Sequence, residues 1–199
     1  MRIHSCERRA AFTLIELMVV IGILCSLMTM VLGVQKYAQT KSKRSRTETQ
    51  IAGFSAAAEA YRSDNGTYPR GEETDGLGSV GESAGATTST AFLNSNLAFY
   101  VMLTGDANRD GKPDSAGAGA AAEAAQPAYM NFSPSQLFLQ SGRVSFMQDP
   151  WGKAFGYSTK RSKAIQAGAD DPLAGHNVTF DVWSTANMDD KEKAWISNW

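Results

Sequence analysis

The sequence predicts an α+β fold: one long N-terminal helix packed on a small antiparallel sheet of about three strands. Three observations predict it. Residues 12–34 form an unbroken apolar run in which Glu16 is the only charge. A helical period then continues, with no proline before Pro69. The last third of the chain changes to a period of two.

The apolar run is taken first. A helix of that length is about 35 Å long, enough to cross a hydrocarbon core of about 30 Å with some tilt. It is too long for the apolar core of a secretory signal, and its small residues, Ala10 and Ala11, stand before it rather than after it. Basic residues flank both ends: Arg2, Arg8 and Arg9 before, and Lys36, Lys41, Lys43, Arg44 and Arg46 after. Counted alone, these charges favour a cytoplasmic C-terminal side.

Beyond the run, Thr47, Ile51, Phe54, Ala58 and Tyr61 repeat at steps of four and three, which marks one face of a helix. Asn65-Gly66 and Pro69 stop it. One helix over residues 12–64 would be about 80 Å long, apolar all round in its first half and amphipathic in its second. The basic residues between the halves read either as a solvated collar or as pairing groups between subunits. The Gly, Ser, Thr and Glu-rich segment 71–90 reads as a loop, residues 91–103 as a short amphipathic helix, and the Ala/Gly stretch 115–126 as a mobile excursion. Val144 and Phe146, Phe155 and Tyr157, and Val178, Phe180 and Val182 supply the strands, and the rings of Trp195 and Trp199 are expected to pack back on the fold.

Composition excludes several functions. Net charge is −1 over 199 residues, so no nucleic-acid partner is expected. The two cysteines, Cys6 and Cys25, both lie in the N-terminal part, so no disulfide framework staples the rest. No nucleophile and base stand in a recognisable spacing, and His176 reads as a solvated loop residue. No catalytic residue is assigned, and the chain is not expected to be an enzyme.

One loop has metal-ligand spacing. Asp106, Asn108 and Asp110 with Gly111 and Asp114 match the first nine positions of a calcium loop, and the Lys112 carbonyl would serve at the seventh. The carboxylate of the twelfth position is missing, since Gly117 stands there. The loop is equally the composition of a solvated surface turn.

Ala11-Phe12-Thr13-Leu14-Ile15-Glu16 resembles the start of type IV prepilins and type II secretion pseudopilins. Tyr61-Arg-Ser-Asp-Asn-Gly-Thr-Tyr-Pro69 and Asp149-Pro-Trp-Gly-x-x-x-x-Tyr157 resemble two signatures of major pseudopilins. Residues 71–140 are outside the resemblance, and Ala11 replaces the usual glycine. The resemblance implies a cleaved leader (1–11), a transmembrane helix (12–34), an amphipathic stalk (35–65) and a globular head (66–199) with a loop insert at about 71–140. It implies cleavage between Ala11 and Phe12 by an inner-membrane prepilin peptidase, N-methylation of Phe12, and a single-pass protein with its head in the periplasm. The partners implied are the bilayer, an assembly platform, minor pilins and copies of the chain itself, in a periplasmic or extracellular filament. Glu16 would pair with a neighbour's N-terminal amine; the other reading is that it snorkels to the headgroups. The family's calcium loop maps to Asn187, Asp189 and Asp190, without its glycines. The competing function is a membrane-anchored binding module with a calcium loop that never polymerises.

Overall fold

The computed structural model describes residues 12–112, 127–188 and 191–199. Helix α1, Leu14–Asn65, is 52 residues long and contributes to two compact units, Met1–Ser42 and Lys43–Trp199. In the first unit every described side chain from 12 to 30 is exposed. An apolar helix without a protein partner requires bilayer or neighbouring helices around it.

The second unit begins on the amphipathic half of α1. Of the predicted stripe, Thr47, Ile51, Phe54 and Ala58 are buried there, Tyr61 is half-buried, and Ala57 is buried beside them. Gly66, with φ of 75°, ends the helix by donating its amide to the Arg62 carbonyl at 2.8 Å. Phe54 lies at the centre of the core, edge-on to Phe155 at 4.9 Å and to Phe99 at 6.0 Å. Helix α4, Thr90–Thr104, begins at the Ser89 cap and ends at Gly105 in the left-handed region. It stacks Phe99 on Tyr157 at 3.7 Å.

The fold class is as expected, but the strands are allotted differently. Strands β1, Leu137–Gln140, and β2, Arg143–Met147, form a separate hairpin. Strands β3, Gly156–Ser158, β4, Asp181–Ser184, and β5, Ile196–Ser197, form the three-stranded antiparallel sheet in the order β3-β4-β5. The end of β2 and the start of β3 meet at a single antiparallel bridge, Gln148 with Ala154, where Phe155 N donates to the Met147 carbonyl at 3.2 Å, and Asn96 of α4 binds the backbone at this junction. Its amide accepts from Met147 N at 2.6 Å and donates to the carbonyls of Met147 and Phe155. Val178 lies outside β4 and is exposed, whereas all four β4 residues are buried. The third strand comes from the C-terminal tail.

Residues 71–90 are not a plain loop. They contain short helices α2, Glu72–Gly76, and α3, Glu82–Gly85, and they bury Thr74, Leu77, Ser79 and Ala84. Buried hydroxyls tie them to the sheet: Ser158 donates to the Leu77 carbonyl at 2.5 Å, Thr74 and Thr159 share a hydrogen bond of 2.8 Å, and Ser79 donates to Asp181. A fifth helix, α5 (Lys160–Gln166), follows β3. The expected excursion at 115–126 lies outside the described residues.

Candidate processing and assembly motif

The first helical turn is held by a reciprocal cap. Thr13 precedes α1, and Glu16 is the third residue inside it. The Thr13 hydroxyl accepts the Glu16 amide at 3.3 Å, while the Glu16 carboxylate accepts the Thr13 amide at 2.9 Å and the Thr13 hydroxyl at 2.8 Å. This is a capping box. Thr13-x-x-Glu16 is its sequence signature, a local signal for the role of Thr13. Both carboxylate bonds fall on Oε2, and Oε1 takes none among the described residues. Phe12 lies outside the helix and is 81% exposed. Ala11 lies outside the described residues.

The two signatures further along the chain meet in the head. Buried Tyr157 donates its hydroxyl to the Pro69 carbonyl at 2.8 Å, which joins the end of one signature to the end of the other. Burial drives the Tyr157 phenol well above its ordinary pKa, so the hydroxyl remains a donor. Arg62 covers the Tyr68 ring, and Tyr68 donates to Glu59 at 2.8 Å. Asp149 is buried and organises its own turn. Its carboxylate accepts the amides of Trp151 and Lys153 at 2.9 Å and the Ser184 hydroxyl at 2.5 Å. Burial raises its carboxyl above the usual range, against the lowering effect of those donors.

In the candidate calcium loop, Asp106 is buried and accepts Tyr100 OH at 2.5 Å, Gly111 N at 2.8 Å and Asp110 N at 3.1 Å. Asn108 Oδ1 accepts the Asp110 amide, and Asp110 Oδ1 accepts the Lys112 amide. The Tyr100 phenol is raised by burial and then by its bond to Asp106. Asp114 lies outside the described residues, as do Asp189 and Asp190. Asn187 is in the left-handed region with φ of 61°. Among the described residues no group of three or more His, Cys, Asp and Glu side chains is placed to hold a metal.

His176 is not the solvated residue expected. Its Nε2 lies 2.9 Å from Glu192 Oε1, and its ring stacks on Trp199 at 4.1 Å. The tail packs back as expected: Trp195 is buried and donates Nε1 to the Met188 carbonyl at 2.8 Å.

Residues 7–32 match the family described as the prokaryotic N-terminal methylation motif. The chain carries a pilin-type methylation motif. That motif is the signature of type IV pilin-like proteins and pseudopilins, which are structural proteins. The match covers Ala11, Phe12 and most of the apolar run, and it stops before the head. No curated protein and no solved structure matches the chain. With one helix long and apolar enough to cross a membrane, the motif fits a membrane-anchored protein.

Proposed function

We propose that the chain is a structural subunit of a type II secretion pseudopilus or a type IV pilus-like filament and performs no catalysis of its own. The methylation motif at residues 7–32 carries this reading. Prepilin peptidase cleaves between Ala11 and Phe12 and methylates the new amine. The span waits in the bacterial inner membrane with the head in the periplasm, until the assembly platform adds it to copies of itself and to minor pilins. The exposed apolar length of α1 supports this, because neighbouring helices can replace lipid around it. The geometry of Glu16 is compatible with both roles of its carboxylate. Oε2 caps its own helix while Oε1 is available to a neighbour's amine.

Mass spectrometry of the protein from native membranes should find a methylated Phe12 as the N-terminus. Ala11→Leu should leave full-length precursor in the membrane. An intact leader in the wild-type protein, or cleavage beyond the apolar run, would remove the reading.

A second reading adds calcium to the head and is favoured by one observation. Asp106, Asn108 and Asp110 form successive turns in which each side chain accepts a later amide of the same loop. With the Lys112 carbonyl and Asp114 they would hold the ion, whose charge would offset carboxylate repulsion. The detergent-solubilised chain should then melt higher in calcium than in chelator, by about 2.7 kcal/mol of added stability at a hundredfold excess over the dissociation constant. Asp106→Asn with Asp110→Asn should remove the shift. A shift retained in that variant would move the ion to Asn187, Asp189 and Asp190, and no shift in the wild type would make both loops ordinary turns.

A further inference from the structure

The tail builds a groove of about 730 Å³ lined by Lys191, Glu192, Lys193, Ala194 and Trp199. Trp199 is 40% exposed and rests one face on His176. Glu192 is engaged by His176, whereas Lys191 and Lys193 are exposed and have no ion-pair partner among the described residues. The groove is tied to α1, because Arg44 Nη1 donates to the Ala194 carbonyl at 3.4 Å. Lys43 lies over the Trp151 ring at 5.9 Å, Arg46 is exposed, and the one acid on this turn of α1, Glu48, is paired with Arg44. The surface thus offers, among the described residues, two exposed lysines without an ion-pair partner beside an indole.

That combination suits the headgroup layer of a membrane. Indole prefers the interface, where its ring meets the acyl boundary and its N–H stays wet, and lysines near an anionic leaflet are attracted by its potential. Arg44 follows residue 34, the last of the apolar run, by only ten positions within helix α1. A weak surface contact is therefore intramolecular in character and needs little affinity to be populated.

We propose that this groove docks on anionic phospholipid headgroups of the bilayer that holds the span, with Trp199 entering the interface and Lys191 and Lys193 facing phosphate. The proposal rests on the membrane-anchored reading above. It gives the subunit a parked state, with its head on the membrane before assembly.

The test uses the full chain in nanodiscs whose acyl chains carry bromine, which quenches indole fluorescence on contact. Discs of phosphatidylcholine alone are compared with an equal mixture of phosphatidylcholine and phosphatidylglycerol. Quenching should be stronger in the anionic discs and should fall as salt is raised. It should be lost in Trp199→Phe, and Lys191→Gln with Lys193→Gln should reduce the docked population, roughly fivefold for each lysine. All these side chains are exposed or half-exposed, and an unchanged thermal melt confirms that the variants fold. Equal quenching in both lipids overturns the proposal, as does full anionic quenching in Trp199→Phe. A response that grows with the number of chains per disc also overturns it and assigns the groove to a second copy. Failure to insert into neutral discs sinks the anchored reading itself, whereas insertion without lipid-dependent quenching sinks only the groove.

Discussion

Gly156→Ala is expected to lower the stability of the head by about 3 kcal/mol and its melting temperature by about 10 °C. A Cβ on Gly156 would stand 2.2 Å from Cε2 of Trp183 and 2.3 Å from Cζ2, well inside contact distance. The indole has no room to retreat. Trp183 is fully buried, donates Nε1 to the Ala84 carbonyl at 2.9 Å, and meets the edge of Phe92 at 5.6 Å. Moving it breaks that hydrogen bond and separates α3 from the sheet. Gly156 and Trp183 are also paired across β3 and β4, so the strands themselves would have to part. Thermal melts of wild type, Gly156→Ala, Trp183→Phe and the double variant form a cycle. The smaller ring should make the glycine replacement less harmful, giving a coupling between the two sites. A melting temperature within a degree or two of wild type for Gly156→Ala would show that the indole can shift, and would remove this account of the sheet.

Glu16→Leu is expected to insert and be processed as the wild type, yet to yield at least about tenfold fewer filaments, because a neighbour's amine loses its carboxylate in a low-dielectric assembly. The cap gives this experiment a control. Thr13→Ala removes the hydroxyl from the reciprocal cap but keeps the acid. It should fray the first turn and leave assembly near normal. Sheared filaments and cross-linked ladders measure both variants. If Thr13→Ala fails as badly as Glu16→Leu, the acid acts by starting the helix and not by pairing with a neighbour. If Glu16→Leu polymerises fully, neither role is needed.

The processing motif was legible because it is local. Its parts, a small residue, Phe12, Glu16 and an apolar run, lie within one short stretch and need no tertiary partner. The stripe from Thr47 to Tyr61 was legible for a related reason, since a helix carries its own period and shows which face it will bury. The Thr13 cap is equally local, since its partner Glu16 lies three residues away. The C-terminal tail was less readable. Ile196 and Ser197 form a strand only because β4 presents a free edge to them, and so short a run has no period to recognise.

The sequence alone thus determined the membrane-length helix, its charged and capped start, its amphipathic continuation and its stop at Gly66. All of these follow from composition, period and turn chemistry within a few residues. Tertiary structure alone decided which strands share a sheet, that residues 71–90 enter the core, and that His176 is held between Glu192 and Trp199. Each depends on side chains far apart in the chain. Asn96 takes backbone groups near residues 147 and 155, Ser158 answers Leu77, and Gly156 makes room for Trp183. A buried polar group must find a donor or acceptor somewhere, and neither composition nor period specifies which distant one it finds.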